Sequence, residues 1–95
     1  MTDKRNIYDE NIEVPITDED RALILEHTFI DPEIEQLLNL AVQHGTKYVV
    51  KMTLGDLDIL LGHIAATANH AKNQKIEKEM DRIYWELKEI EDREV

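Results

Sequence analysis

The side chains best suited to chemistry near neutral pH are four histidines, His27, His44, His63 and His70. Only His63 and His70 fall on one face of one predicted helix, seven residues apart. At 1.5 Å per residue that is about 10.5 Å along the axis, too far to share a metal ion. The i,i+4 pair by which a helix chelates zinc is missing. His63 has no carboxylate one turn away on its own helix, where the sequence places Ile59, Leu60, Ala66 and Thr67. Asp56 and Asp58 look like a carboxylate pair, but two residues apart on a helix they point about 160° from each other. Gly55 and Gly62 belong to no glycine-rich turn and precede no Gly-Lys-Ser/Thr, so no phosphate loop is present. The chain has neither cysteine nor serine, which removes thiol and serine nucleophiles and thiolate metal ligands. These residues predict no catalytic centre, no cofactor and no metal site. His44 and His70, at predicted helix C-termini, suit the negative end of the dipole.

Charge supplies the next constraint. The 95 residues sum to a net charge of −10. Residues 1–36 carry 11 acids against 3 bases, residues 37–72 carry 2 against 3, and residues 73–95 carry 8 against 5. The neutral middle is the place for a core, and the first ten residues read as a flexible acidic terminus preceding one helical domain over 11–95. So negative a chain is repelled by nucleic acid and anionic lipid, which predicts no direct nucleic-acid binding. The longest apolar run is the four residues 22–25, against the roughly 20 a membrane span needs. With no apolar stretch behind Met1 and no cysteine, the expected location is cytoplasmic.

The elements follow from spacing. Ile12, Val14 and Ile16 alternate with polar residues or Pro15, which predicts a short strand over 11–16, confined to a sheet edge by the proline. Thr17 caps a helix running to about His27 through three acids, although residues 22–25 also fit a buried strand. Asp31-Pro32 starts a helix whose stripe is Ile34, Leu37, Leu38 and Ala41, widened by Leu40 and Val42. Gly45 after His44 reads as its stop, giving a helix over 32–44. Tyr48, Val50 and Met52 mark a strand over 47–52, whose partner is 11–16, 21–25 or the same strand in a second copy. Thr53 and Asp56 form a capping box that opens a helix to about His70. A short turn, with Asn73 as cap, leads to a last helix over 74–92. The fold expected is mainly α, ending in an antiparallel helical hairpin.

Two features of that hairpin suggest contact with a partner. On helix 54–70 one face carries Leu57, Leu60, Leu61, Ile64 and Ala68. The opposite face carries Gly55, Ile59, Gly62, Ala66 and Asn69, a small and uncharged stripe. A glycine inside a helix costs roughly 1 kcal/mol against alanine, which close approach of another helix would offset. That helix is either 32–44 of the same chain or part of another subunit. On the last helix Ile76, Met80, Ile83, Leu87 and Ile90 form the inward seam, and Arg82–Glu86 reads as an ordinary solvated pair. Trp85 lies about 165° from the centre of that seam, with Arg82 and Lys88 placed to hold its ring by cation–π contact. Trp85 is accordingly a candidate interface anchor.

The sequence thus points to a non-enzymatic acidic interaction or regulatory module that self-associates or binds another protein. One alternative is an inhibitor that mimics nucleic-acid charge and occupies a basic protein. Another is a small metal-dependent enzyme built across a dimer around His63 or His70.

Overall fold

Alternation of apolar residues builds the sheet, and 3.6-residue periodicity builds the helices that cover it. The computed structural model describes residues 10–94. The expected flexible terminus over 1–10 therefore lies, Glu10 apart, outside the described residues. In chain order come β1 (Asn11–Thr17), α1 (Asp18–His27), α2 (Pro32–Asn39), β2 (Val42–His44), β3 (Lys47–Thr53), α3 (Leu54–His70) and α4 (Gln74–Glu94). The chain is mainly helical, with a three-stranded antiparallel sheet in the order β1-β3-β2.

The register of β1 on β3 puts like with like. Ile12 faces Met52, Val14 faces Val50 and Ile16 faces Tyr48, so the apolar residues of both strands share the inner face. Glu13 faces Lys51 on the outer face, a favourable cross-strand pair. Pro15 lies in β1, which is an edge strand as a proline requires. The partner of β3 is thus the 11–16 segment, and residues 22–25 are helical.

Three helix starts match their sequence signals. Thr17 Oγ1 accepts the Asp20 N–H at 3.0 Å. Thr53 Oγ1 accepts from Asp56 N–H at 3.0 Å while Asp56 returns the bond to the Thr53 N–H, completing the capping box. Asn73 Oδ1 accepts the Lys75 N–H at 2.8 Å at the start of α4.

The helix expected over 32–44 needs correction. It ends at Asn39, and residues 42–44 form β2, paired antiparallel with β3. Gly45, with φ of +63°, is not a helix stop but the first central residue of the β2–β3 turn. The left-handed backbone that glycine allows serves a helix C′ position and a type II′ hairpin turn equally well, which is why the glycine alone misleads. Leu40 and Val42 do not widen a buried stripe; both are exposed. His44 is a strand residue and meets no helix end.

The core is one cluster shared by β1, β3 and all four helices, including Val14, Ile24, Leu38, Met52, Ile64 and Ile83. Joined by three residues, α3 and α4 form the expected hairpin. Leu60, Leu61 and Ile64 are buried on α3, and Met80, Ile83 and Leu87 on α4. No described helix is long and apolar enough to cross a membrane.

Candidate functional site

The link between α1 and α2 is extended, so its side chains alternate in and out. Thr28 points inward and is buried, its hydroxyl donating to the Ile24 carbonyl at 2.6 Å. Ile30 packs against the core. Phe29 between them is therefore turned outward and is 97% exposed.

Beside Phe29 lies a groove of about 510 Å³ between this link, the C-terminal half of α3 and the start of α4. Its apolar lining comes from Phe29, Ala66, Ala71 and Ile76; its polar lining includes His27, His63, His70 and Lys72. Among the described residues no carboxylate lines it, in a chain that has 21.

The fold thus brings His27 of α1 to the same groove as His63 and His70 of α3. Among the described residues no group of three or more His, Cys, Asp or Glu is placed to hold a metal ion. His63 Nε2 lies 3.7 Å from Asp31 Oδ2, and His27 Nε2 lies 3.8 Å from Glu26 Oε2. Both carboxylates are largely exposed, so these pairs contribute little. Asp31 occupies the N-cap position of α2 without making the side-chain cap bond its sequence position suggests. Sequence spacing missed the carboxylate near His63 because it arrives from another element.

Of the expected interface residues, Gly55 is half-buried, while Ile59, Gly62, Ala66 and Asn69 are exposed along one face of α3. A Cβ added to Gly62 would meet nothing within 4 Å. Among the described residues nothing approaches the stripe at Gly62, so the segment 32–44 of the same chain does not pack against it there. Ala66 also lines the groove, so the stripe and the groove adjoin.

Trp85 is 66% exposed on α4 and does not line the groove. The expected cation–π clamp is not formed. Instead, the ring meets its neighbour Tyr84 edge-on, with centroids 5.2 Å apart. Arg82 is drawn away to carboxylates: Asp20 at 2.7 Å, Glu79 at 2.7 Å and Glu86 at 3.2 Å. Those hydrogen bonds, Asp20 foremost, hold its guanidinium above its already high ordinary value. Arg82–Glu86 is therefore one arm of a network anchored on buried Asp20 rather than a simple surface pair.

Lys88 is likewise occupied, by Glu91 at 2.7 Å and Asp92 at 3.4 Å, and the hydrogen bond to Glu91 raises its pKa. Glu91 is buried, and its second oxygen finds no partner among the described residues. Among the described residues, Arg21 lies over an aromatic ring, 4.9 Å from the centre of Tyr48, with its Nε donating to the Leu38 carbonyl at 2.7 Å.

Compared with known proteins, the chain matches no family model, no curated protein and no solved structure.

Proposed function

We propose that this chain is a non-catalytic protein–protein interaction module. Its contact face comprises Phe29, the adjoining groove and the exposed side of α3 through Ile59, Gly62 and Ala66. The observation that carries this reading is Phe29. A phenylalanine fully in water forgoes roughly 1.5–3 kcal/mol of transfer free energy that a partner could supply. Isolated exposed apolar residues are common, but this one borders an apolar groove and an uncharged helix face.

A catalytic reading lacks support of the same kind. Asp56 is committed to its capping box, and the nearest carboxylates to His63 and His27 are exposed and loosely placed. A charge-mimic reading requires an unbroken acidic surface. On α4 the acids are interleaved with Arg82 and Lys88, each tied to several carboxylates.

The test is a long charged side chain in the middle of the face, Ala66→Arg. Its site is exposed, so the variant should melt with the parent. Tagged wild-type chain expressed in its host should retain a stoichiometric protein contact that Ala66→Arg loses. Equal recovery of every contact by the two chains would refute the reading.

A further inference from the structure

We infer that the groove is filled by a second copy of this chain, Phe29 of each protomer seating in the groove of the other about a two-fold axis. This rests on the interaction face proposed above and names its occupant.

The chain carries both halves of the contact side by side: an outward phenyl ring and an apolar groove. A two-fold axis near this point satisfies two rings and two grooves in one isologous interface that closes on itself.

Charge selects the same partner. Two chains of −10 repel each other over most of their surfaces, and the groove offers a lining without carboxylates among the described residues. The ring is flanked by exposed acids, Glu26, Asp31 and Glu33. The α3–α4 side of the groove offers Lys72 as a cation and His70 as a hydrogen-bonding imidazole, while His63 lies 3.7 Å from Asp31 of its own chain. Seating the ring therefore lowers an acidic link onto a wall that carries Lys72.

The area suffices. Two buried phenylalanines account for roughly 300–500 Å², and the groove walls they cover for a similar amount. The sum approaches the ~1,000 Å² a specific interface needs, before the Ile59–Ala66 face is added. The open position at Gly62 lets that face approach closely.

The experiment is sedimentation equilibrium of the full chain from micromolar to millimolar concentration, with two variants at exposed sites. Phe29→Ala removes the ring together with the apolar edge it lends its own groove, leaving that groove unobstructed; Ala66→Arg obstructs the groove and keeps the ring. Wild type should show a monomer–dimer equilibrium, and each variant should weaken it by about 30-fold or more, the size of an interface hot spot. An equimolar mixture of the two retains one ring opposite one unobstructed groove and should associate more tightly than either variant alone. Circular dichroism melts at concentrations where wild type is monomeric should match wild type, confirming that both fold.

A wild-type monomer at millimolar concentration would overturn the proposal, as would a Phe29→Ala dimer of unchanged affinity or a mixture no tighter than its parents. The broader reading fails separately. If wild type is monomeric but Ala66→Arg still abolishes capture of a different protein, the face is real and its occupant is not a second copy. If Ala66→Arg changes neither dimerisation nor capture, both readings fall.

Discussion

Arg82 of α4 grips the carboxylate of Asp20 in α1 through two hydrogen bonds, 2.7 Å to Oδ1 and 3.2 Å to Oδ2, across 62 residues of sequence. Asp20 is only 4% exposed, so its charge is stabilised by the protein rather than by water. The two partners are not equivalent. Without Asp20, Arg82 still has Glu79 and Glu86; without Arg82, Asp20 is a buried carboxylate with its guanidinium partner gone. Loss of one partner from a buried pair costs about 3–5 kcal/mol, and this half-exposed arginine belongs nearer 2–3. Arg82→Met should therefore destabilise by about 2–3 kcal/mol and Asp20→Asn by about half that. Denaturant unfolding of both variants checks the order, and a larger loss for Asp20→Asn would contradict it.

The hairpin core offers a second prediction. Leu61 is buried on α3, facing the α4 seam, so Leu61→Ala should cost on the order of 2–5 kcal/mol through lost transfer energy and the cavity left behind. An unchanged midpoint of urea unfolding would show that the hairpin does not bury this residue.

The glycines should respond in opposite directions. At Gly62 a new methyl meets open space in a helix interior, so Gly62→Ala should stabilise by roughly 0.5–1 kcal/mol. At Gly45 the space is also open but φ is +63°, so Gly45→Ala should destabilise by about 1 kcal/mol or more through backbone strain alone. Thermal melts of the two single variants, measured on monomeric samples, should move to opposite sides of wild type.

Trp85 is the only tryptophan, so its fluorescence reports one place. At 66% exposure its emission should be red-shifted, and Trp85→Ala should change stability by under about 1 kcal/mol. It lies nine residues beyond Ile76, about 13.5 Å along α4 from the groove. Dimerisation through Phe29 should leave the emission where it is. A blue shift on raising the protein concentration would put Trp85 inside the self-contact instead.

Local signals were legible in the sequence; contacts between distant segments were not. Thr17, Thr53 and Asn73 act as caps because a cap is decided within three residues. The seams of α3 and α4 and the inward set of β1 follow from periodicity. The end of α2 did not, because residues 40–44 have enough apolar spacing to continue a helix, and only pairing with β3 decides for a strand. Arg82 looked like a surface residue because its i+4 neighbour is an acid, while its more consequential partner is on α1. Phe29 carries no signal by type or spacing, being a lone aromatic in a short link. The signal available was the alternation Thr28-Phe29-Ile30, which in extended backbone must turn either the phenylalanine or its two neighbours to solvent.

Pro15 and Glu13 have a consequence for the newly made chain. Asn11 pairs with Thr53 and Thr17 with Lys47, so β1 leaves the ribosome well before the segment that completes it. During that interval Ile12, Val14 and Ile16 form an apolar ribbon without a partner, the type of segment through which nascent chains aggregate. A proline removes one ladder donor from that ribbon, and a glutamate puts a charge on its other face. Both residues are tolerated in the finished sheet because β1 is an edge strand and Glu13 finds Lys51 across from it. The same two positions that fit the strand to its edge therefore guard it while it waits.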